Sequence, residues 1–275
     1  MTKAAASEDE AILALFERLA LSAGRKIMEV FHAGCAVDRK ADTSPVTEAD
    51  RASETIILAG LRAAFPQIPC VAEEEAAEGI LPEDIGTLFF LVDPLDGTRE
   101  FVNRNPDFTV NIALVRNGLP EVGVVYAPCS RRFFSGRPGR AELIELNDSD
   151  EIVSRRPIEV RRGAEPLTIV ASRSHRTPET ETFIRKFAAA EIVSVGSSLK
   201  FCLLAAGEAD IYPRFGRTME WDTAAGDAVL RAAGGTTSTL DGRPLAYGKT
   251  NQQDADFANP YFIARGKPEG DAVWS

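Results

Sequence analysis

Two helical patterns stand in the first quarter of the chain. Apolar residues recur every three or four positions over residues 7–31, which predicts an amphipathic helix. Ser7 and Glu10 are spaced as a capping box, so we expect this helix to begin at Ser7. A second helix is predicted over residues 47–65, because Pro66 cannot continue it.

The period of the pattern then changes to two, which predicts strands. Alternation over residues 108–115 indicates one strand, and Asn117-Gly118 is the turn that would lead into a second strand over 122–126. Shorter strands are predicted around residues 132–135, 142–146 and 158–160. From residue 168 onward, a strand over 168–172 is followed by helices that are predicted near residues 178–190, 197–206 and 222–233.

These patterns give the two halves of the chain different characters. We expect an N-terminal α+β half over residues 1–163 and a C-terminal α/β half over residues 164–275, with the boundary near residues 161–166. A length of 275 residues exceeds the commonest domain size but suits two packed halves of one protein.

Composition and charge narrow the class of protein. Hydrophobic residues make up 44% of the chain, which is enough for a packed core. A net charge of −10 argues against binding nucleic-acid polymers, which requires basic surface. The four cysteines, Cys35, Cys70, Cys129 and Cys202, are widely spaced, so we expect reduced thiols. The N-terminus lacks the apolar core of a signal peptide, and no stretch predicts a membrane span, so we expect a cytoplasmic protein.

One predicted strand ends in acidic residues. The apolar run over residues 88–92 leads into Asp-Pro-Leu-Asp-Gly-Thr at 93–98, and such a run is typical of a strand buried on both faces. Ligands of these sheets gather where strands end. Gly97 allows close approach to the main chain, and Thr98 can begin a helix whose free N–H groups attract anions. Paired aspartates repel a phosphate unless cations lie between them, so the segment predicts a Mg²⁺ and phosphate site. A plain Asp-Gly turn is the alternative.

Three other segments supply acidic residues that could join this site. Glu73 follows a short apolar run, although a solvated acidic loop is the alternative because Glu74 and further glutamates come next. Asp222 precedes a helix of small residues, where capping alone would also explain it. Thr47 and Asp50 have the spacing of a capping box, with Asp in place of Glu or Gln.

In their order along the chain, these segments resemble the inositol monophosphatase superfamily, whose members are metal-dependent, lithium-sensitive phosphatases. The resemblance rests on Pro-Val-Thr-Glu-Ala-Asp at 45–50, Glu73-Glu74, Asp-Pro-Leu-Asp-Gly-Thr at 93–98 and Trp-Asp-Thr-Ala-Ala-Gly at 221–226. Ala72 stands where Ser or Gly is usual, so Glu73 and Glu74 both stay candidates for the first metal-binding glutamate. Within the superfamily, the chain is similar to the CysQ-type 3'(2'),5'-bisphosphate nucleotidases at 98–101, 172–175, 195–202 and 209–214.

The fold that the resemblance implies is a layered αβαβα sandwich of the inositol monophosphatase and fructose bisphosphatase type. It also implies metal ligands. One Mg²⁺ would bind Glu73, Asp93 and the carbonyl of Leu95. A second would bind Asp93, Asp96 and Asp222, with Asp93 as the bridge. Two or three ions per site are implied, with Mn²⁺ as a substitute.

Catalysis, by the same resemblance, would use water as the nucleophile. Thr98 with Asp50 would position and deprotonate this water, and the N–H groups of Gly97 and Thr98 would hold the phosphate. Haloacid-dehalogenase phosphatases also have an Asp-Gly-Thr turn after a strand, but their nucleophilic aspartate stands two residues before the second Asp. This chain has Leu95 there, and Asp93 lies one residue too early, so covalent catalysis is disfavoured.

Substrate contacts are implied at the metal-site segments and in the C-terminal half. The implied residues are Glu73, Leu95, Asp96, Gly97, Thr98, His175, Ser197, Ser198, Lys200, Arg214 and Asp222. An ordinary Ser-capped helix is the alternative for the two serines, and a surface histidine is the alternative for His175. Lys40 is a further candidate phosphate contact.

The implied activity is hydrolysis of adenosine 3',5'-bisphosphate (PAP) to AMP and phosphate, within sulfur and nucleotide metabolism. The sulfated analogue PAPS would be a second substrate. The alternatives are an inositol 1-phosphate or broad sugar phosphatase and, from another class, a non-catalytic nucleotide or metal sensor. The expected partner is a small nucleotide bisphosphate, while the choice between monomer and dimer and a peripheral inner-membrane contact stay open.

Overall fold

The computed structural model describes residues 3–34, 37–39, 45–162, 166–172, 176–187 and 189–267. Its helices are α1 (Lys3–Ala33), α2 (Glu48–Ala64), α3 (Glu73–Ala77), α4 (Thr98–Val102), α5 (Pro178–Ile184), α6 (Leu199–Ala205) and α7 (Ala224–Ala232). Its strands are β1 (Val37–Arg39), β2 (Pro45–Thr47), β3 (Cys70–Ala72), β4 (Leu88–Asp96), β5 (Thr109–Arg116), β6 (Leu119–Ala127), β7 (Arg132–Arg137), β8 (Arg140–Leu146), β9 (Ile152–Pro157), β10 (Thr168–Ser172), β11 (Glu191–Val195), β12 (Ile211–Arg214), β13 (Thr236–Thr239) and β14 (Phe262–Arg265).

Two sheets carry the fold. The larger sheet has seven strands in the order β3-β4-β5-β6-β7-β8-β9, in which only β3 and β4 are parallel. The smaller sheet has five strands in the order β11-β10-β12-β14-β13, with β10 parallel to both of its neighbours. Strands β1 and β2 form a separate antiparallel pair.

The side-chain alternation of β4 places helices on both faces of the larger sheet. Phe90 and Val92 belong to the core cluster that includes residues of α1 and α2. Phe89 and Leu91 belong to another cluster, which includes residues of α6 and α7. Because successive residues of a strand point to opposite faces, the two pairs of helices lie on opposite sides of this sheet.

The smaller sheet also has helices on both of its faces. Val170 of β10 belongs to the cluster of α6 and α7, whereas its neighbours Ile169 and Ala171 pack with Phe183 of α5. The layers are therefore α1 and α2, the seven-stranded sheet, α6 and α7, the five-stranded sheet, and α5. This confirms the expected αβαβα sandwich. The α6–α7 layer shares one core with both sheets, and the division at residue 163 stays a prediction.

Helix α7 lies directly on the backbone of β6 and β7. A Cβ atom added to Gly123 would lie 2.6 Å from the carbonyl oxygen of Ala225, and one added to Gly136 would lie 2.6 Å from the Cα of Val229. Real Cβ atoms do not approach so closely, so this packing requires glycine at both positions. The contact fixes the start of α7, which Asp222 precedes.

Several predicted elements are confirmed, and others differ in position or length. The hairpin at Asn117-Gly118 is present, and Thr47 and Asp50 form a complete capping box at the start of α2. The first helix begins at Lys3 rather than Ser7, because the preceding alanines are good helix formers. The strand predicted at 158–160 lies instead at Ile152–Pro157, an edge strand whose exposed side chains hide its pattern. The helices predicted from 178, 197 and 222 are shorter than expected.

The cysteines agree with the sequence analysis where they can be compared. Cys70, Cys129 and Cys202 are free thiols, and Cys35 lies outside the described residues. Of the helices that the structure describes, none is both long enough and apolar enough to cross a membrane.

Candidate metal centre and active site

One cleft of about 860 Å³ brings most of the predicted site residues together. Nine of them line it: Glu73, Asp96, Gly97, Thr98, Ser197, Ser198, Lys200, Arg214 and Asp222. Asp50, Asp93 and Leu95 are almost fully buried beside it. His175 and Lys40 lie outside the described residues.

The end of β4 turns its acidic residues toward the cleft. The pairing of β4 with β5 is irregular between Asp93 and Asp96, so the strand leaves its regular register there. Asp93 Oδ1 accepts a hydrogen bond from the N–H of Leu95 at 3.0 Å, which closes the turn. Gly97 has a φ of 95°, and an added Cβ would lie 3.0 Å from the carbonyl oxygen of Asp107. Glycine is therefore required at the point where the main chain enters α4.

A chain of hydrogen bonds connects α2 to Thr98. Thr98 Oγ1 donates to Asp50 Oδ1 at 2.9 Å. The other carboxylate oxygen of Asp50 accepts from the N–H and the hydroxyl of Thr47, both at 2.7 Å. Burial raises the pKa of Asp50, while these donors lower it. The structure thus joins the two residues that the sequence analysis assigned to activation of water.

Carboxylates from three segments oppose one another in the cleft. Burial raises the pKa of Asp93 well above its ordinary value, and repulsion from Glu73, Asp96 and Asp222 raises it further. Burial raises the pKa of Asp222 to about 8, with added repulsion from Asp96 and Glu73. Burial also raises the pKa of Asp96. The cluster therefore holds more negative charge than its protein surroundings neutralise.

Glu73, and not Glu74, faces this cluster. Glu73 lines the cleft, and the proximity of its carboxyl group raises the pKa of Asp93. Glu74 is buried and does not line the cleft. Both residues belong to the first turn of α3, so the alternative of a solvated acidic loop is wrong.

The donor set fits a hard divalent cation. All the candidate ligands are oxygen atoms, from four carboxylates and the carbonyl group of Leu95, and Mg²⁺ prefers such ligands. As the side chains stand, no three His, Cys, Asp or Glu residues in the described ranges form a cage around a single point. Asp93, Asp96 and Asp222 each accept a protein hydrogen bond with one oxygen. The assignment of ligands to individual ions stays a prediction.

The hydroxyl group of Ser198 joins the two halves of the site. Ser198 Oγ lies 2.8 Å from Asp96 Oδ2 and 2.6 Å from the carbonyl oxygen of Asp222, and it accepts from Asn111 Nδ2 at 2.9 Å. Ser198 precedes α6 but makes no capping bond, so the Ser-cap alternative is wrong for its side chain. Its contacts instead fix Asp96 against the segment that carries Asp222.

Asp222 is held by its neighbours in the chain. The helix that follows begins at Ala224 with Thr223 as its N-cap residue, so the capping alternative for Asp222 is wrong. Asp222 Oδ2 accepts from the N–H of Met219 at 2.9 Å. The adjacent Glu220 is fully buried and accepts from Lys249 Nζ at 2.6 Å. Since Oδ2 accepts this main-chain hydrogen bond, Oδ1 is the oxygen of Asp222 that we expect to bind a ligand.

Two basic residues line the same cleft, near the acidic cluster. Lys200 is buried, and its ammonium group donates to the carbonyl oxygen of Ser197. Burial lowers the pKa of Lys200 to about 8; Asp96 opposes this shift, and Arg214 adds to it. Arg214 is also buried, and its Nε–H has no acceptor among the described residues. Two desolvated cations thus lie side by side.

Two polar residues of the site were missed by the sequence analysis. Asn111 interrupts the apolar face of β5 and pairs with Asp93 across the sheet, which is a signal that the sequence offered. Glu54 lies four residues after Asp50 on the buried face of α2. The position of Glu54 among the apolar residues of an amphipathic helix was a second signal in the sequence, but its contacts with α3 could not be predicted from the sequence.

The chain resembles known proteins along most of its length. The model of the inositol monophosphatase family matches residues 8–261. The chain therefore belongs to the inositol monophosphatase family. The 3'(2'),5'-bisphosphate nucleotidase CysQ of Escherichia coli (strain K12) is 44% identical over 89% of this chain and 96% of its own length.

Solved structures of family members have the same fold. A crystal structure of CysQ from Bacteroides thetaiotaomicron matches with a TM-score of 0.75 at 37% identity, covering 94% of this chain and 98% of that one. Inositol monophosphatase from Anabaena (Nostoc) sp. PCC 7120 matches with a TM-score of 0.70 at 27% identity, covering 94% and 91%. Members of this family are metal-dependent phosphatases, typically with Mg²⁺, which agrees with the acidic cluster.

We expect Mg²⁺ to raise the melting temperature more at pH 8 than at pH 6. The folded-state pKa of Asp222, about 8, and those of Asp93 and Asp96 lie above the unfolded value of about 4. The folded metal-free protein therefore binds more protons than the unfolded chain in this window, so its stability falls as pH rises. Mg²⁺ offsets a repulsion that is greatest at pH 8.

Scanning calorimetry in chelator and in Mg²⁺ at the two pH values measures this difference. Asp222→Asn should reduce the pH dependence, whereas Asp148→Asn, which removes an exposed charge, should leave it unchanged. An equal or larger gain at pH 6 would contradict the expectation.

Proposed function

We propose that this protein is a Mg²⁺-dependent phosphomonoesterase that hydrolyses PAP to AMP and phosphate, with PAPS as a further substrate. Support comes from the similarity to E. coli CysQ, a relative named as a 3'(2'),5'-bisphosphate nucleotidase, over nearly its full length. The same name belongs to the relative from Salmonella typhimurium (strain LT2), which is 42% identical over 89% of this chain and 96% of its own length.

The observation that carries the proposal is that one cleft has both an acidic cluster, here called its acidic end, and an adjacent basic pair, here called its basic end. The acidic end, with Glu73, Asp96 and Asp222, suits a phosphate that is bound through divalent cations. The basic end, with Lys200 and Arg214, suits an anion that is bound directly. A nucleotide with two phosphates has a group for each end, whereas inositol 1-phosphate would leave the basic end unfilled.

At the acidic end, the ligands of two Mg²⁺ ions would be those that the resemblance implies. Glu73, Asp93 and the carbonyl of Leu95 form one set, and Asp93, Asp96 and Asp222 form the other. Mn²⁺ would substitute at either, and a third ion would need ligands beyond these sets. When bound, the cations supply positive charge to the phosphate and lower the pKa of water.

The chain itself supplies the base for the attacking water. Thr98 donates its hydroxyl proton to Asp50, which leaves the lone pairs of Thr98 Oγ1 to accept a proton from water. Asp50 then takes the Thr98 proton as the water oxygen attacks phosphorus and the bond to the 3'-oxygen breaks. The departing 3'-oxygen takes a proton from a second water molecule and leaves as the 3'-hydroxyl group of AMP. The N–H groups of Gly97 and Thr98 would hold the phosphate oxygens.

At the basic end, we propose that the second phosphate contacts Lys200 and Arg214. Bringing an anion between two desolvated cations satisfies the Nε–H of Arg214 and restores the pKa of Lys200. Ser197 and His175 would contact the ribose and base. Ser198 would act at the substrate only through the segments that its hydroxyl group joins. Because Asp222 comes from residues 164–275 and the other acids from residues 1–163, metal binding would tie the two halves together.

We expect PAP to be the preferred substrate over inositol 1-phosphate and fructose 1,6-bisphosphate. The reason is the proposed contact of the basic end with a second phosphate, which inositol 1-phosphate lacks, and the proposed contacts of Ser197 and His175 with a ribose and base, which fructose 1,6-bisphosphate lacks. Release of inorganic phosphate at saturating Mg²⁺ gives kcat/KM for each compound. A higher kcat/KM for inositol 1-phosphate would contradict the substrate assignment. Tight binding of PAP without phosphate release, measured by titration calorimetry, would instead indicate a sensor.

We expect Asp93→Asn to lower kcat/KM for PAP more than about a hundredfold, beyond the usual cost of losing an outer ligand contact. Asparagine keeps the acceptor for the Leu95 N–H but removes the charge that both ions would share. The melting temperature of the metal-free variant should not fall, since the change relieves repulsion. Asp148→Asn is the control for loss of one charge. A variant with most of its turnover would rule out the bridging role of Asp93.

A further inference from the structure

The buried face of α2 contacts three segments of the site. Asp50 accepts from Thr98, as described above. Ser53 Oγ lies 3.4 Å from the carbonyl oxygen of Pro94, but the carbonyl oxygen of Ala49 in its own helix is closer, at 2.5 Å. Glu54 reaches α3 with both of its carboxylate oxygens. Ser53 and Glu54 are not among the proposed catalytic residues or metal ligands, and the contact of Glu54 is the stronger of their two.

Glu54 caps α3 from another helix. Its Oε2 accepts from the N–H of Glu74 at 2.8 Å, and its Oε1 accepts from the N–H of Glu75 at 2.9 Å. The N-cap residue of α3 is Ala72, whose side chain has no acceptor, so these N–H groups depend on a partner from elsewhere. A carboxylate that is only 5% exposed is retained in a core when such donors satisfy it.

The turn that Glu54 holds carries Glu73. Glu73 is the first residue of α3, lines the cleft and faces Asp93. The N–H groups of the next two residues are fixed by Glu54, so the direction of the Glu73 side chain depends on this contact. The same helix pair has a second link, the ion pair of Arg62 with Glu75, but this pair lies at the surface.

We propose that Glu54 is a positioning residue that fixes the first turn of α3, so that Glu73 is held ready for the metal. Glu54 sets the affinity for Mg²⁺ without contacting the ion or the substrate. The proposal rests on the metal dependence in the proposed function but not on the identity of the substrate. Asp50 and Glu54 lie one helical turn apart on α2 and would have different roles. Asp50 acts on the attacking water, and Glu54 positions the metal ligand Glu73.

Titration calorimetry of Mg²⁺ binding to the full chain, without substrate, tests the role of Glu54. Glu54→Gln keeps the shape of the side chain but replaces one carboxylate oxygen with an NH₂ group. This group cannot accept the hydrogen bond from the N–H of Glu74 or Glu75. We expect the Kd for Mg²⁺ to rise about 10–100-fold, as for other outer contacts of metal ligands. The control Arg62→Gln removes the surface link between the same helices, and its Kd should stay within about twofold of wild type. The titrations are made at pH 8, because burial raises the pKa of Glu54 to about 7.

A double-mutant cycle separates positioning from general stability. If Glu54 acts through Glu73, then adding Glu54→Gln to Glu73→Gln should change the Kd for Mg²⁺ no further. Additive effects in this cycle would overturn the proposal, and so would a Glu54→Gln protein with a lower melting temperature but wild-type Mg²⁺ affinity. Glu54→Asp, whose oxygens are withdrawn by one methylene, replaces Gln if that variant does not fold.

The expected rate data follow from the same mechanism. At Mg²⁺ concentrations far above the raised Kd, Glu54→Gln should recover most of its kcat for PAP, whereas Asp93→Asn should not. If wild-type protein binds Mg²⁺ but does not hydrolyse PAP, the proposed function fails while the effect of Glu54 on Mg²⁺ affinity is still measured. If wild-type protein does not bind Mg²⁺ at all, both proposals fall.

Discussion

Mutual repulsion of buried carboxylates is the constraint on which the site depends. Asp93 reaches the cleft from the end of a buried strand, Glu73 from the start of a short helix and Asp222 from the other half of the chain. Their burial and their proximity raise the pKa of both aspartates, so the metal-free cluster is destabilised at neutral pH. A divalent cation removes this cost, and a fold that tolerates the cluster is therefore prepared for metal.

Neutral donors and distant acids hold the cluster together against that repulsion. Ser198 contacts Asp96 and the main chain at Asp222, and so connects two halves of the chain through one hydroxyl group. Glu54 holds the helix of Glu73 through main-chain N–H groups. These contacts position the carboxylate groups but do not use every carboxylate oxygen as a hydrogen-bond acceptor. Oxygen atoms therefore remain for metal binding, which is what a preorganised metal site requires.

The sequence predicted best what local chemistry decides. The buried strand whose last residues include Asp93 and Asp96, the capping box of Thr47 and Asp50, and the turn at Gly97 follow from residue types and spacing alone. Contacts between distant segments could not be predicted in this way. The position of Glu54 among the apolar residues of α2 was a signal that the sequence analysis missed, and its partners in α3 depend on how the two helices pack. In the same way, Ser198 was a predicted substrate contact with a helix cap as the alternative, and only the fold brings its hydroxyl group to Asp96.

Anomalous diffraction from crystals soaked in Mn²⁺ tests the central claim most directly. The account predicts strong anomalous peaks in the cleft, one of them flanked by carboxylate oxygens of Asp93, Asp96 and Asp222. Crystals of Asp93→Asn soaked in the same way should lose or weaken these peaks. A wild-type map with no anomalous peak beside these three residues would contradict the account.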